Sequence, residues 1–157
     1  MLTAAAFNSM MISHNEEFRN YVPDREGGGS FYIGGNGDNT VINENKGALI
    51  STSGGNDTVI NTAEDATILT GSDKDKVISL GAGSRIYTGD GSDYIFAQGV
   101  GSYVHAGEDD DSLYVNEDEV EAHGGAGKDR INNFKIDFSL YGSLYNILYK
   151  LFGINLA

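Results

Sequence analysis

From residue 34 to residue 132 the apolar positions recur with a period that belongs to neither a helix nor a long strand. Three-residue runs with an apolar middle residue follow polar, glycine-rich loops. Aligning on the residue before each run gives GGNGDNTVI, TSGGNDTVI, TGSDKDKVI, TGDGSDYIF, AGEDDDSLY and GGAGKDRIN. Their sixth residues, Asn39, Asp57, Asp75, Asp93, Asp111 and Asp129, fall at every eighteenth position without exception. Between them lie NENKGALIS, NTAEDATIL, SLGAGSRIY, AQGVGSYVH and VNEDEVEAH. The eighth residue is apolar in both sets: Val41, Val59, Val77, Ile95, Leu113 and Ile131 in the first, Ile50, Ile68, Ile86, Val104 and Ala122 in the second. Alternation along a strand turns that residue to one face and its neighbours to the other.

Runs this short cannot hold a helix, but they can stack. If one such repeat unit is one turn of a coil, equivalent strands lie about 4.8 Å apart and the apolar residues form two ladders meeting in a thin core. The pattern therefore predicts an all-β fold, a parallel β-solenoid of about six turns over residues 31–132. The two halves of each turn differ. The first carries Asn or Asp at its sixth position; the second carries Ala48, Ala66, Ser84, Ser102 and Val120. One side of the coil is thus acidic at every turn.

Charge sharpens that asymmetry. The chain of 157 residues has 10 basic and 23 acidic side chains, a formal charge of −13. The coil holds 18 of those acids against six bases. Such a balance argues against nucleic acid or anionic lipid as a partner and suits a cation. Carboxylates stacked at strand spacing repel by about 1 kcal/mol per pair in water and several times that in a lower dielectric. A divalent cation between successive turns removes the repulsion, and calcium suits carboxylate and carbonyl oxygens in flexible geometry better than magnesium does. The alternative is that Asp, Asn and Gly serve only as turn formers in a metal-free coil. With no cysteine, disulfides and cysteine-ligated zinc are excluded.

The loops resemble the RTX (repeats-in-toxin) nonapeptide G-G-x-G-x-D-x-U-x. GGAGKDRIN matches its defined positions fully, and GGNGDNTVI departs only at Asn39. The resemblance covers about residues 34–132. It implies a right-handed parallel β-roll with Ca²⁺ held between turns by loop carbonyls and by Asp57, Asp75, Asp93, Asp111 and Asp129, with Asn39 as a weaker neutral ligand. Asp73 and Asp109 stand where the motif has its fourth-position glycine, and Ser53 where it has its second. The second loops lack the aspartate, so the roll is one-sided. The resemblance also implies secretion to the extracellular space through an uncleaved C-terminal signal. The N-terminus, MLTAAAFNSMMIS, has no basic segment of the kind a cleaved signal peptide carries.

Flanking segments predict caps for the open ends of the coil. Residues 1–30 form an N-terminal cap segment, with a short helix expected over Ser13–Val22. Residues 133–157 form a C-terminal one, with a helix expected from Phe138 to Gly153, Ser139 as its N-cap and Gly153 as its stop. This apolar segment also suits an export signal, or a helix that contacts a membrane or a partner. Ile42, Ile60, Ile78, Phe96 and Tyr114 form a column that alternation turns outward. Such a ridge packs on something: the terminal segments, or a partner such as a host or cell-surface protein. His105 and His123 fall on adjacent turns, where stacking outweighs a metal site.

None of the common catalytic motifs occurs, so an enzyme is not expected. Two functions remain. One is a secreted calcium-binding module that folds on Ca²⁺ and acts as a rigid scaffold or export-competence device. The other is a metal-independent solenoid for interaction or adhesion, binding through the apolar ridge.

Overall fold

The computed structural model describes residues 12–13, 20–21, 30–116, 118–134 and 150–153. Two parallel sheets of seven strands run the length of a solenoid. The first sheet holds β1 (Ile12–Ser13), β3 (Phe31–Gly34), β5 (Leu49–Ser51), β7 (Thr67–Ser72), β9 (Arg85–Asp90), β11 (Ser102–Glu108) and β13 (Val120–Ala126). The second holds β2 (Asn20–Tyr21), β4 (Thr40–Asn43), β6 (Thr58–Asn61), β8 (Lys76–Ser79), β10 (Tyr94–Ala97), β12 (Ser112–Val115) and β14 (Arg130–Asn133). The chain alternates between sheets, so each strand pairs with the one a full turn away. Val41 lies against Val59, Val59 against Val77, and Ile68 against Ile86. Each pair joins positions one full repeat apart, as the sequence pattern predicts.

The inward residues of both sheets make one narrow core. Val41, Val59, Val77, Ile95 and Leu113 from the second sheet meet Ile50, Ile68, Ile86 and Val104 from the first, all fully buried. Ala48, Ala66, Ser84, Ser102 and Val120 fill the corner beside them. Further corners are held by side chains that the hydrophobic pattern does not reveal. The Asn43 amide donates to Asn61 Oδ1 at 2.7 Å, and the Asn61 amide donates to Ser79 and Ser84 Oγ, each at 3.1 Å. The same column then turns apolar, with Ala97 and Val115 in the core. Each buried amide sits where a neighbouring turn supplies its partner.

Close stacking explains the glycine excess at particular positions. Gly89 has φ 102°, and a Cβ there would sit 2.1 Å from the Gly71 carbonyl oxygen of the preceding turn. Gly101 also has a positive φ, 71°, but faces open space. The first is required by the approach of two backbones, the second only by the turn.

The termini correct the expected caps. Asn20–Tyr21, inside the predicted N-terminal helix, is a strand paired with Val41–Ile42, and Ile12–Ser13 is paired with Ile33–Gly34. The partners in both pairs lie further apart along the chain than one regular repeat. The segment therefore adds strands to both sheets at an irregular spacing that an alignment on the regular period misses. Hydrogen bonds to an open sheet edge favour the extended form over a short helix. At the other end, residues 150–152 are helical and Gly153 follows with φ 67°, the left-handed residue of a helix stop. The rest of the predicted Phe138–Gly153 helix, Ser139 included, lies outside the described residues, as do the remaining residues of Ser13–Val22.

Gly89→Ala should destabilise the coil well beyond the roughly 1–2 kcal/mol of a positive φ alone, because the rungs must part. Gly101→Ala should lose only about that amount. Urea unfolding of the two variants beside the native protein measures the difference.

Candidate metal centre

Asp57, Asp75, Asp93 and Asp111 point into the coil rather than out of it, and none exposes more than 3% of its surface. They immediately precede β6, β8, β10 and β12, so the alternation that buries Val59 two residues later also buries the carboxylate. Each Oδ1 accepts the backbone N–H of the sixth-position residue one turn earlier. The bonds run Asn39 to Asp57 at 2.7 Å, then Asp57 to Asp75, Asp75 to Asp93 and Asp93 to Asp111, each at 2.8 Å. Asp111 to Asp129 closes the series at 3.1 Å. The predicted row of acids is thus one continuous ladder along the coil.

Its second oxygens are different. Oδ2 of Asp57, Asp75, Asp93 and Asp111 is buried with no hydrogen-bond donor. Thr52, Thr70 and Thr88 stand beside the first three carboxylates, but their hydroxyls donate along the axis to the carbonyls of Thr70, Thr88 and Ala106. A buried carboxylate lacking donors is costly to keep ionised. Burial accordingly lifts Asp75 to about 7, with the charges of Asp57 and Asp93 adding to it and the Asp57 N–H opposing. Asp93 and Asp111 are lifted to about 6, chiefly by burial, and Asp57 is raised for the same reason.

Asn39, at the head of the ladder, shows which groups face the sixth position. Its amide nitrogen donates to the carbonyls of Gly37 and Gly35 and lies 3.3 Å from Asp57 Oδ1, while its oxygen accepts the Tyr32 hydroxyl at 2.7 Å. One N–H₂ group therefore collects a second-position carbonyl, a fourth-position carbonyl and the carboxylate of the next turn. Asn39 is a hydrogen-bond donor here, which differs from the neutral oxygen ligand expected of it. In the turns that follow, aspartate replaces asparagine and brings another acceptor where the amide brought the donor. Carbonyls at the second and fourth positions point along the axis: those of Ser53, Gly71 and Gly89 abut the next second-position glycine, and those of Asp73 and Asp109 abut Gly91 and Gly127.

Asp73 and Asp109 take up the positive φ that the motif assigns to glycine, at 79° and 73°, as Ser53 does at 77°. Their side chains lie on the exposed loop surface, and the Asp73 carboxylate accepts the Gly55 N–H at 3.3 Å. The backbone carbonyls of these two aspartates abut glycines of the next turn, and the Asp109 charge adds to the raised values of Asp93 and Asp111.

Among the described residues no three acid or histidine side chains gather at one point. Stacking accounts for that, since successive sixth-position carboxylates lie one turn apart and each meets only the one before and the one after it. An all-oxygen set of carboxylates and carbonyls is the donor chemistry of a hard divalent cation. The buried orphan oxygens fit such an ion; soft or nitrogen-preferring metals have no ligand here.

The outward ridge is placed as alternation predicts, and the chain itself covers it. Ile60, Ile78 and Phe96 are buried in a second apolar cluster, with Ile42 and Tyr114 partly buried and Leu151 and Phe152 packed against it. Phe96 meets Phe152 edge-on at 4.8 Å and Phe134 at 5.7 Å. His105 and His123 stack with ring centres 6.5 Å apart, and His123 meets Glu121 at 2.9 Å. Compared with protein-family models, curated proteins and solved structures, the chain matches none.

The raised carboxylates set the sign of the pH response in metal-free protein. Between an unfolded value near 3.8 and folded values of about 6–7, the folded state holds more protons than the unfolded one. Stability is then fully present in acid and is lost as pH rises through that window. Thermal melting in EDTA should give a higher Tm at pH 5 than at pH 7.5.

Proposed function

We propose that this chain is a calcium-dependent folding module, a one-sided β-roll of the RTX kind that closes when Ca²⁺ enters the gaps of its aspartate ladder. The observation that carries the reading is the row of buried Oδ2 atoms without donors, set against Asn39, whose amide supplies a donor at the equivalent place. The Asn39 gap is satisfied by hydrogen bonds. The gaps Asp57–Asp75, Asp75–Asp93, Asp93–Asp111 and Asp111–Asp129 are then the cation positions. Each would draw on the flanking carboxylates and on second- and fourth-position carbonyls, and the ion supplies the positive charge that the ladder lacks.

The thermodynamic consequence follows from ligation to the native state alone. At about ten times its dissociation constant an ion adds roughly 1.4 kcal/mol per site, so a few sites are a large share of a domain's net stability. Extracellular calcium modules bind at about 10⁻⁴–10⁻³ M, which would keep the chain loose in a low-calcium cytosol and rigid outside. Export followed by closure into a rigid scaffold is the biological use such a device suits. No catalytic role is proposed.

Two variants and two ions test the reading. Millimolar Ca²⁺ should raise the Tm and the β signal in far-UV circular dichroism, and equal Mg²⁺ should do so weakly. Asp93→Asn removes a buried charge, so in EDTA it should stabilise the protein by about 1–3 kcal/mol. In calcium the same variant should gain less from the ion than the native protein. A protein equally stable in EDTA and in calcium at pH 7.5 would sink the proposal and leave a metal-independent solenoid.

A further inference from the structure

The two outer faces of the coil are not treated alike. On the second sheet the outward column is covered by Leu151 and Phe152 of the helical residues 150–152. On the first sheet nothing comparable happens among the described residues. Phe31, Ile33, Leu69 and Tyr87 are each between 37% and 51% exposed. Tyr103 and His105 continue the strip, and Tyr87 and Tyr103 rings touch at 5.8 Å. A row of large apolar side chains left in water along a sheet marks an interaction surface.

We propose that this strip, Phe31 to His105 on the outer face of the first sheet, is a docking surface for an amphipathic helix whose apolar stripe is flanked by lysine or arginine. Shape is the first argument. The strip is two side chains wide, about 7 Å at strand rise, and runs about 19 Å over the five rungs from β3 to β11. A helix about 10 Å across, whose roughly 13 residues span the same length, matches it. A second broad sheet would overhang.

Charge is the second argument. The strip itself carries Arg85, and Glu121 stands one rung beyond its end, but its borders are acidic. Asp38, Asp73, Asp90 and Glu108 stand exposed along one side, with Lys74 and Lys128 among them. Glu44, Glu64, Asp65 and Asp118 stand along the other, where Lys46 already pairs with Glu64 at 2.8 Å and Asp65 at 3.3 Å. An apolar strip between acidic margins selects a helix with basic margins. It disfavours a second copy of this chain, which would bring acid onto acid, and an anionic membrane. The within-chain packing of helical residues on the opposite face shows that the architecture accepts a helix there. The strip is built by the rungs and does not depend on what lies between the aspartates.

The probe is a fluorescent helical peptide of repeated Lys-Leu-Leu-Lys units, titrated with the full chain in millimolar calcium and followed by anisotropy. Two control peptides accompany it, a scrambled sequence of the same composition and a version with glutamate for lysine. Saturable one-to-one binding of the patterned peptide, with both controls weaker by about tenfold or more, is the expected result. The double variant Leu69→Glu, Tyr87→Glu should weaken it by a similar factor, since it removes two of the strip's large apolar anchors. Both side chains point outward, so circular dichroism should show the fold retained; Arg85→Ala, which should bind at least as well as the native protein, provides a second variant if it is not. Equal binding of the scrambled or the glutamate peptide would overturn the proposal, as would undiminished binding by the double variant. Concentration-dependent dimerisation abolished by that variant would assign the strip to a second copy instead. Binding seen only after removal of residues 1–11 would assign it to the chain's own N-terminus.

Discussion

A carboxylate in each of four successive turns accepts one backbone N–H from the turn before and has no donor for its other oxygen. Much of the solenoid is arranged around that half-satisfied ladder. Its first bond carries the hydrogen-bond ladder through the sixth position of the acidic corner, just before each strand of the second sheet begins. Its second oxygen is buried without a donor, in loops whose positive-φ residues aim carbonyls along the axis. The corner is therefore rich in acceptors and short of positive charge. Protons or a cation can supply it, and the two act in opposite directions on pH.

The opposite corner solves the same stacking problem without charge. Asparagine and serine there provide both donor and acceptor, so Asn43 and Asn61 satisfy their neighbours directly and the column can pass to Ala97 and Val115 without loss. An amide ladder is indifferent to the medium. A carboxylate ladder responds to whatever neutralises it. One fold thus carries one corner closed by amides and another closed by carboxylates.

The strand edges and outer faces follow a similar division. At the N-terminal end two short strands continue both sheets beyond the regular repeat. On the second sheet the apolar ridge is taken into a cluster with Phe134, Leu151 and Phe152 that leaves a cavity of about 150 Å³ beside Tyr94 and Tyr114. Lys76 stands over two of its rings, 5.8 Å from the centres of Tyr94 and Phe152. The first sheet keeps its outward apolar residues in solvent. Only packing of distant segments distinguishes the two, since both columns alternate in the same way.

The repeat period, the two ladders of core residues and the row of sixth-position acids were legible in the chain because stacking makes every turn face the same environment. A residue type required once is then required at each turn, and repetition exposes it. The burial of the carboxylates was not legible: a loop aspartate reads as solvent-facing until the corner closes around it. Nor was the role of Asn39, whose amide becomes a donor only because Gly35, Gly37 and Asp57 converge on it. The first strands escaped detection because their pairing spans a longer stretch of chain than the period that revealed the others. Local chemistry at a repeated spacing is written in the sequence. Which groups share a closed space, and which face is left uncovered, is decided by contacts between turns that are formed only when the coil is wound.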